Sequence, residues 1–114
     1  MNYDEQWMQM RFVQWLEWSK LPFHHSPNEG KRSPQEGNKN KRMGTSKGFP
    51  DMFIPVPSQD KHGLFIEFKS KNGALSPEQK EWMQKLNDYG YTAVVARSDV
   101  EAINLTNLYL GRQK

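Results

Sequence analysis

"GLFIEFKSKNGALSPEQKEWMQKLNDYGYTAVVA", residues 63–96, decides the fold. Residues 64–70 carry bulky side chains at every other position and read as a strand. Leu64, Ile66 and Phe68 face one side of it, and Phe65, Glu67 and Lys69 face the other. The run that follows reads as a helix, with Ser76 as N-cap, Pro77 in the first turn and Gly90 just past the end. Trp82, Met83 and Leu86 make its apolar face, joined by Gln79. "YTAVVA", residues 91–96, is a β-branched strand of the buried kind. Strand, helix, strand at this spacing predicts a right-handed crossover and a parallel pair.

Working outward, "DMFIPV" (51–56) predicts a second strand, which places Asp51 at its start on the side of Phe53. Pro55 and Pro57 limit its far end. Downstream, "SDVEAINLTNLYL" predicts a closing helix capped by Ser98, with Glu101 completing a capping box. At the other end, residues 4–19 hold no Gly or Pro and predict a helix, on which Met8, Phe12, Trp15 and Leu16 form one apolar stripe. Glu5 lies on that stripe, although an unpaired carboxylate is costly to bury. The first turn of a helix does favour an acid. Trp7 and Trp18 lie on another side with Arg11, which suggests a second contact surface of the sort a dimer uses. Between this helix and Asp51 runs a long connection, with a short strand expected near 22–26. The order α, long loop, β, β, α, β, α gives an α/β class, a small mixed sheet flanked by helices.

The chain has 114 residues and suits one compact domain. It has no Cys, which excludes disulfides and thiolate metal sites. Its apolar runs are too short to span a bilayer, and the N-terminus lacks a signal-peptide core, so a soluble intracellular protein is expected. The net charge of +3 is unevenly spread: residues 31–47 hold Lys31, Arg32, Lys39, Lys41, Arg42 and Lys47 against Glu36 alone, a net +5. Such a segment is either a solvated loop or a surface for phosphate backbones.

Asp51 and Glu67, from neighbouring strands, make a hard oxygen site suited to Mg²⁺ or Mn²⁺. A metal there activates water and stabilises charge on a phosphate under attack. Lys69 beside Glu67 offers a compact positive charge to that phosphate. The alternative is an ordinary ion pair, since Glu-x-Lys is common on exposed strands and such pairs are worth little. Gln79 stands three residues after Ser76, so it serves the site, the capping box, or both. His24, His25 and His62 lack metal-ligand spacing and are expected in loops. Asp60 and Asp88 read as turn and helix-end residues.

Taken together, "GFPDMFIP" and residues 63–96 closely resemble the VRR-NUC family, the virus-type replication-repair nucleases of the PD-(D/E)xK group. Pro50-Asp51 matches the "PD", Glu67-Phe68-Lys69 the "(D/E)xK", and Ser76, Glu78 and Gln79 the "S-x-E-Q" that opens the following helix. "PNEGKRS" (27–33) and the loop after it look like the family's upstream block, and the resemblance runs from about His25 to Leu110. It implies a restriction-endonuclease-like core over 50–110, preceded by the helix of 1–20 and the basic loop of 27–49. It implies Mg²⁺- or Mn²⁺-dependent cleavage of DNA. Asp51 and Glu67 would be metal ligands with the Phe68 carbonyl, Lys69 the catalytic lysine, and Gln79 a neighbour of the site. Glu5 is the best match to the family's acid on the first helix, whereas Glu29 is expected to have a structural or DNA-facing role. The stand-alone viral and phage members are the nearest in layout, which would place the protein in a host cytoplasm. By that analogy a homodimer acting on branched, Holliday-junction-like DNA is expected, with Lys31, Arg32, Lys39, Lys41, Arg42 and Lys47 on the phosphates. The rival expectation is a DNA-binding module that keeps the fold without turnover, or one that cuts only with a partner.

Overall fold

The computed structural model describes residues 3–26, 42–44 and 46–112. The described chain runs α1 (Tyr3–Trp18), β1 (His24–His25), β2 (Met52–Ile54), β3 (Leu64–Phe68), α2 (Pro77–Asp88), β4 (Thr92–Ala96) and α3 (Asp99–Tyr109). The four strands form one mixed sheet in the order β1-β2-β3-β4. The β1–β2 and β2–β3 pairs are antiparallel, and β3–β4 is parallel. The parallel pair joined through α2 is the expected crossover.

Side-chain alternation on β3 sorts the core into two layers. Leu64, Ile66 and Phe68 are fully buried against Met8, Phe12 and Leu16 of α1 and Ala102 and Tyr109 of α3. Phe65 turns the other way, to Leu86 of α2 and Ala93, with Phe53, Trp82, Met83 and Tyr91 partly buried around them. Fully burying a residue such as Phe12 or Leu16 contributes about 1.5–3 kcal/mol, so α1 is held by its stripe. The sheet is thus covered by α1 and α3 on one face and by α2 on the other. Among the described residues no helix is long and apolar enough to cross a membrane.

α2 begins as expected: the Ser76 hydroxyl accepts the Gln79 N–H, and the Gln79 side chain accepts the Ser76 N–H. α3 departs from expectation. Ser98 caps it by accepting the Glu101 N–H, but the Glu101 carboxylate accepts from Arg97 N–H at 2.6 Å and the box is not reciprocal. Ser98 is fully extended (φ −160°, ψ 163°), and the longer reach to the residue before it prevails. The short strand expected near 22–26 is β1, formed by His24 and His25 opposite Phe53 and Met52, so these two histidines lie in a strand and not in the loop expected for them. β2 stops at Ile54, just before Pro55. Asp60 does sit in a turn, at φ 67°. His62 packs its ring against Tyr91, and Asp88 accepts from Gln84 within α2.

Candidate active site

The pleat of β3 that buries Phe68 in one layer sends Glu67 and Lys69 to the opposite face. Asp51, one residue before β2, points to the same side. Its side chain is fixed by the Phe68 N–H, which donates to Asp51 Oδ2 at 2.9 Å, and its carbonyl accepts from Ser26 N–H. Asp51 and Glu67 are only 6% and 3% exposed, so two carboxyl groups share a site almost without water.

They lie within hydrogen-bonding reach of each other. Burial is the main cause that raises Asp51; the Phe68 N–H and the nearby His25 act the other way. Glu67 is pushed up to about 9, first by burial and then by the charge of Asp51. Two ionised carboxylates have no proton to place between them, and the pair requires either a shared proton or a cation. Glu67 Oε1 is buried with no hydrogen-bond partner, while Glu67 Oε2 accepts from Gln79 Nε2 at 2.9 Å. An orphaned buried oxygen beside a second carboxylate, in an all-oxygen donor set, fits a hard divalent cation.

Gln79 makes two sets of contacts at once. Its backbone and Oε1 form the cap of α2, and its Nε2 donates to Glu67. The N-terminus of α2 is approached closely by the chain entering β2. Gly48, at φ 84°, has the backbone of Glu78 and Gln79 where a Cβ would be, at 2.7–2.8 Å. Only glycine fits there, and the close approach delivers Phe49 and Pro50 beside the site.

Lys69 is half-buried, and its charge acts on Glu67. Among the described residues the ion pair within 4.0 Å is Arg11–Asp99, so Glu67 and Lys69 do not form the ordinary salt bridge that Glu-x-Lys allows. Glu5 reaches the end of β3 from α1, where Glu5 Oε2 accepts from Ser70 N–H at 3.3 Å. It is near enough to raise both Asp51 and Glu67. Among the described residues no three His, Asp or Glu side chains are grouped closely enough to hold an ion by themselves. A metal at this site would rest on Asp51 and Glu67, with further oxygens from backbone, water or substrate.

Residues 27–41 lie outside the described part, and with them Lys31, Arg32, Lys39, Lys41 and Glu29. Arg42 and Lys47 are described and exposed. Sequence reasoning missed His25 and Gln9. His25 Nε2 lies 2.8 Å from Gln9 Oε1, the ring N–H donating to the amide oxygen, and His25 is a neighbour of Asp51. The signal was present: a strand near 22–26 pairing with "DMFIPV" puts His25 beside the start of β2. Gln9 follows Glu5 by one helical turn, on the same side of α1.

The family model for the VRR-NUC domain matches residues 3–100. A solved structure described as a VRR-NUC domain protein superimposes with a TM-score of 0.83 at 32% sequence identity, covering 97% of this chain and 91% of the other. A search among curated proteins finds no match. The matched span takes in α1 and Glu5 as well as Asp51, Glu67, Lys69 and Gln79.

Proposed function

This chain belongs to the VRR-NUC family, a family of nucleases, and on that footing we propose that it is a metal-dependent endonuclease hydrolysing DNA phosphodiester bonds. The observation that carries this reading is the buried Asp51–Glu67 pair, with Glu67 Oε1 lacking any donor. Asp51 and Glu67 would hold Mg²⁺ or Mn²⁺ with the Phe68 carbonyl, while Glu5, the expected acid of the first helix, is engaged by Ser70 N–H and would act on the site through its charge and not as a third ligand. The ion, when bound, supplies positive charge to the phosphate and lowers the pKa of water.

The protein's own groups do the rest. The Phe68 N–H keeps Asp51 oriented, and Gln79 Nε2 keeps Glu67 turned toward Asp51. The ammonium of Lys69, not neutralised in a salt bridge, is available to the scissile phosphate and to the oxygen that attacks it. Water adds to phosphorus and gives up a proton, the P–O bond to the leaving strand breaks, the leaving oxygen takes up a proton from solvent, and the phosphate stays on one of the two ends.

The substrate in this reading is branched or junction DNA. Arg42 and Lys47 are exposed on the described end of the basic segment and would meet phosphates, as would Lys31, Arg32, Lys39 and Lys41. One site cuts one strand, so a two-fold dimer would cut two. Trp7 and Trp18 on α1, 47% and 81% exposed, support a contact surface for a second copy. The test is incubation of the purified protein with linear duplex, flap, splayed and four-way DNA in Mg²⁺, Mn²⁺ or EDTA. Metal-dependent cutting that favours the branched forms is expected. Binding without cutting on every substrate would instead indicate a DNA-binding module.

A further inference from the structure

Immediately after Lys69 the chain makes a turn, Ser70–Gly73, closed by Gly73 N–H donating to Ser70 O at 3.1 Å. A side chain from a different strand end secures it. Arg97, the residue after β4, donates from Nη1 to Ser70 O and to Gly73 O, both at 2.7 Å, with Lys71 O further off at 3.4 Å. One Nη1 has two hydrogens, so the two short bonds account for both. Arg97 is itself held, since its own N–H donates to Glu101 of α3. On the other side of the turn, Ser70 N–H donates to Glu5.

Lys69 lies between these anchors. Its N–H pairs with Ala96 O, the carbonyl just before Arg97. Its stem runs beside Gly73: a Cβ added there would meet Lys69 Cδ at 3.6 Å, an ordinary van der Waals contact. The turn therefore lies directly beside the Lys69 stem. Without the guanidinium, Gly73 O loses its donor and Ser70 O keeps only the Gly73 N–H.

We propose that Arg97 is a positioning residue for Lys69: by clamping the Ser70–Gly73 turn it fixes where the Lys69 ammonium stands relative to Glu67. The activity part of this inference rests on the nuclease reading; the geometric part does not. Both bonds leave the single Nη1, so a lysine at position 97 has hydrogens enough for the two carbonyls but a shorter side chain to bring them there, and meets the task only in part.

The experiment compares Arg97→Ala and Arg97→Lys with the unmodified sequence. Lysines are reductively methylated with ¹³C-formaldehyde, and the Lys69 dimethylammonium resonance is assigned by its loss in Lys69→Arg. Lys61, at the opposite end of β3, serves as the control resonance. Arg97→Ala should move or broaden the Lys69 signal and leave Lys61 in place. Arg97→Lys should lie between, and added guanidinium ion should return the Arg97→Ala spectrum toward that of the original. In unmethylated protein, kcat should fall about 10- to 100-fold with KM nearly constant, as displacement of a reacting group predicts. An unchanged Lys69 resonance in a folded Arg97 variant overturns the inference. If Arg97→Ala fails to fold, Arg97→Lys is judged by the same signal. Should the original protein cut no DNA, the nuclease reading fails while the resonance still decides the role of Arg97.

Discussion

Gln79 Nε2 donates to Glu67 Oε2 at 2.9 Å, while the other end of the same amide caps α2 by accepting from Ser76 N–H. One side chain thus couples the start of a helix to the orientation of a buried carboxylate. The two roles separate by substitution. Gln79→Ala loses both, at about 1 kcal/mol of stability from the lost bond to Ser76 N–H and about a tenfold loss of cleavage if Glu67 turns. Gln79→Glu keeps an acceptor for Ser76 but removes the donor to Glu67. Its unfolding midpoint in urea should stay closer to the original than that of Gln79→Ala, while its cleavage falls as far. Equal cleavage by Gln79→Glu and the original would remove Gln79 from the site.

The pH dependence of stability follows from Glu67. Its carboxyl is raised from 4.5 to about 9 by burial and by Asp51, so the folded protein keeps a proton that the unfolded chain has released. This contribution is fully present below about 4.5 and is lost as pH rises toward about 9. The metal-free protein should therefore show a falling urea midpoint across that window. A divalent cation takes the place of the proton, so the stabilisation by Mg²⁺ should grow over the same range. Glu67→Gln should flatten both trends. Urea titrations in EDTA and in Mg²⁺ at several pH values check this, and a midpoint in EDTA that rises with pH through Glu67 would contradict it.

In the proposed site Lys69 would supply charge without holding the ion. Lys69→Met should lower cleavage about 100-fold or more, the cost of losing one electrostatic stabiliser. It should leave the rise in melting temperature on adding Mn²⁺ in place. Loss of both together would mean that the substitution disturbs the carboxylate pair instead.

Arg42 and Lys47 are exposed where the basic segment rejoins the described chain. If each neutralises one phosphate, the Arg42→Ala/Lys47→Ala protein should bind duplex DNA with a log–log salt slope shallower by about 1.8. Fluorescence anisotropy over a range of salt concentrations measures it. An unchanged slope would free these two residues from DNA contact.

What was legible in the sequence was local in origin. Ser76, Pro77 and Gln79 announced α2 because capping is chemistry within four residues, and the alternation of β3 announced its two faces because side chains alternate along any strand. Asp51, Glu67 and Lys69 could be brought together because two adjacent strands set their distance. The rest depended on contacts across the fold. His25 reaches Asp51 through the short strand expected near 22–26, but its partner Gln9 comes from another element. Glu101 fitted the spacing of a capping box, yet the extended Ser98 let its carboxylate take the Arg97 N–H instead. Glu5 looked out of place on an apolar stripe until Ser70 N–H supplied its partner from 65 residues away.

The central claim is that Asp51 and Glu67 hold a divalent ion that cuts DNA, and a single comparison tests it most directly. The rate of strand cleavage of a four-way DNA is measured against Mn²⁺ concentration for the original protein and for Glu67→Gln. The account predicts saturable, EDTA-sensitive cleavage by the original and a rate at least about 100-fold lower for Glu67→Gln at every concentration. Cleavage by Glu67→Gln at the original rate, or cleavage by either protein that persists in EDTA, would contradict it.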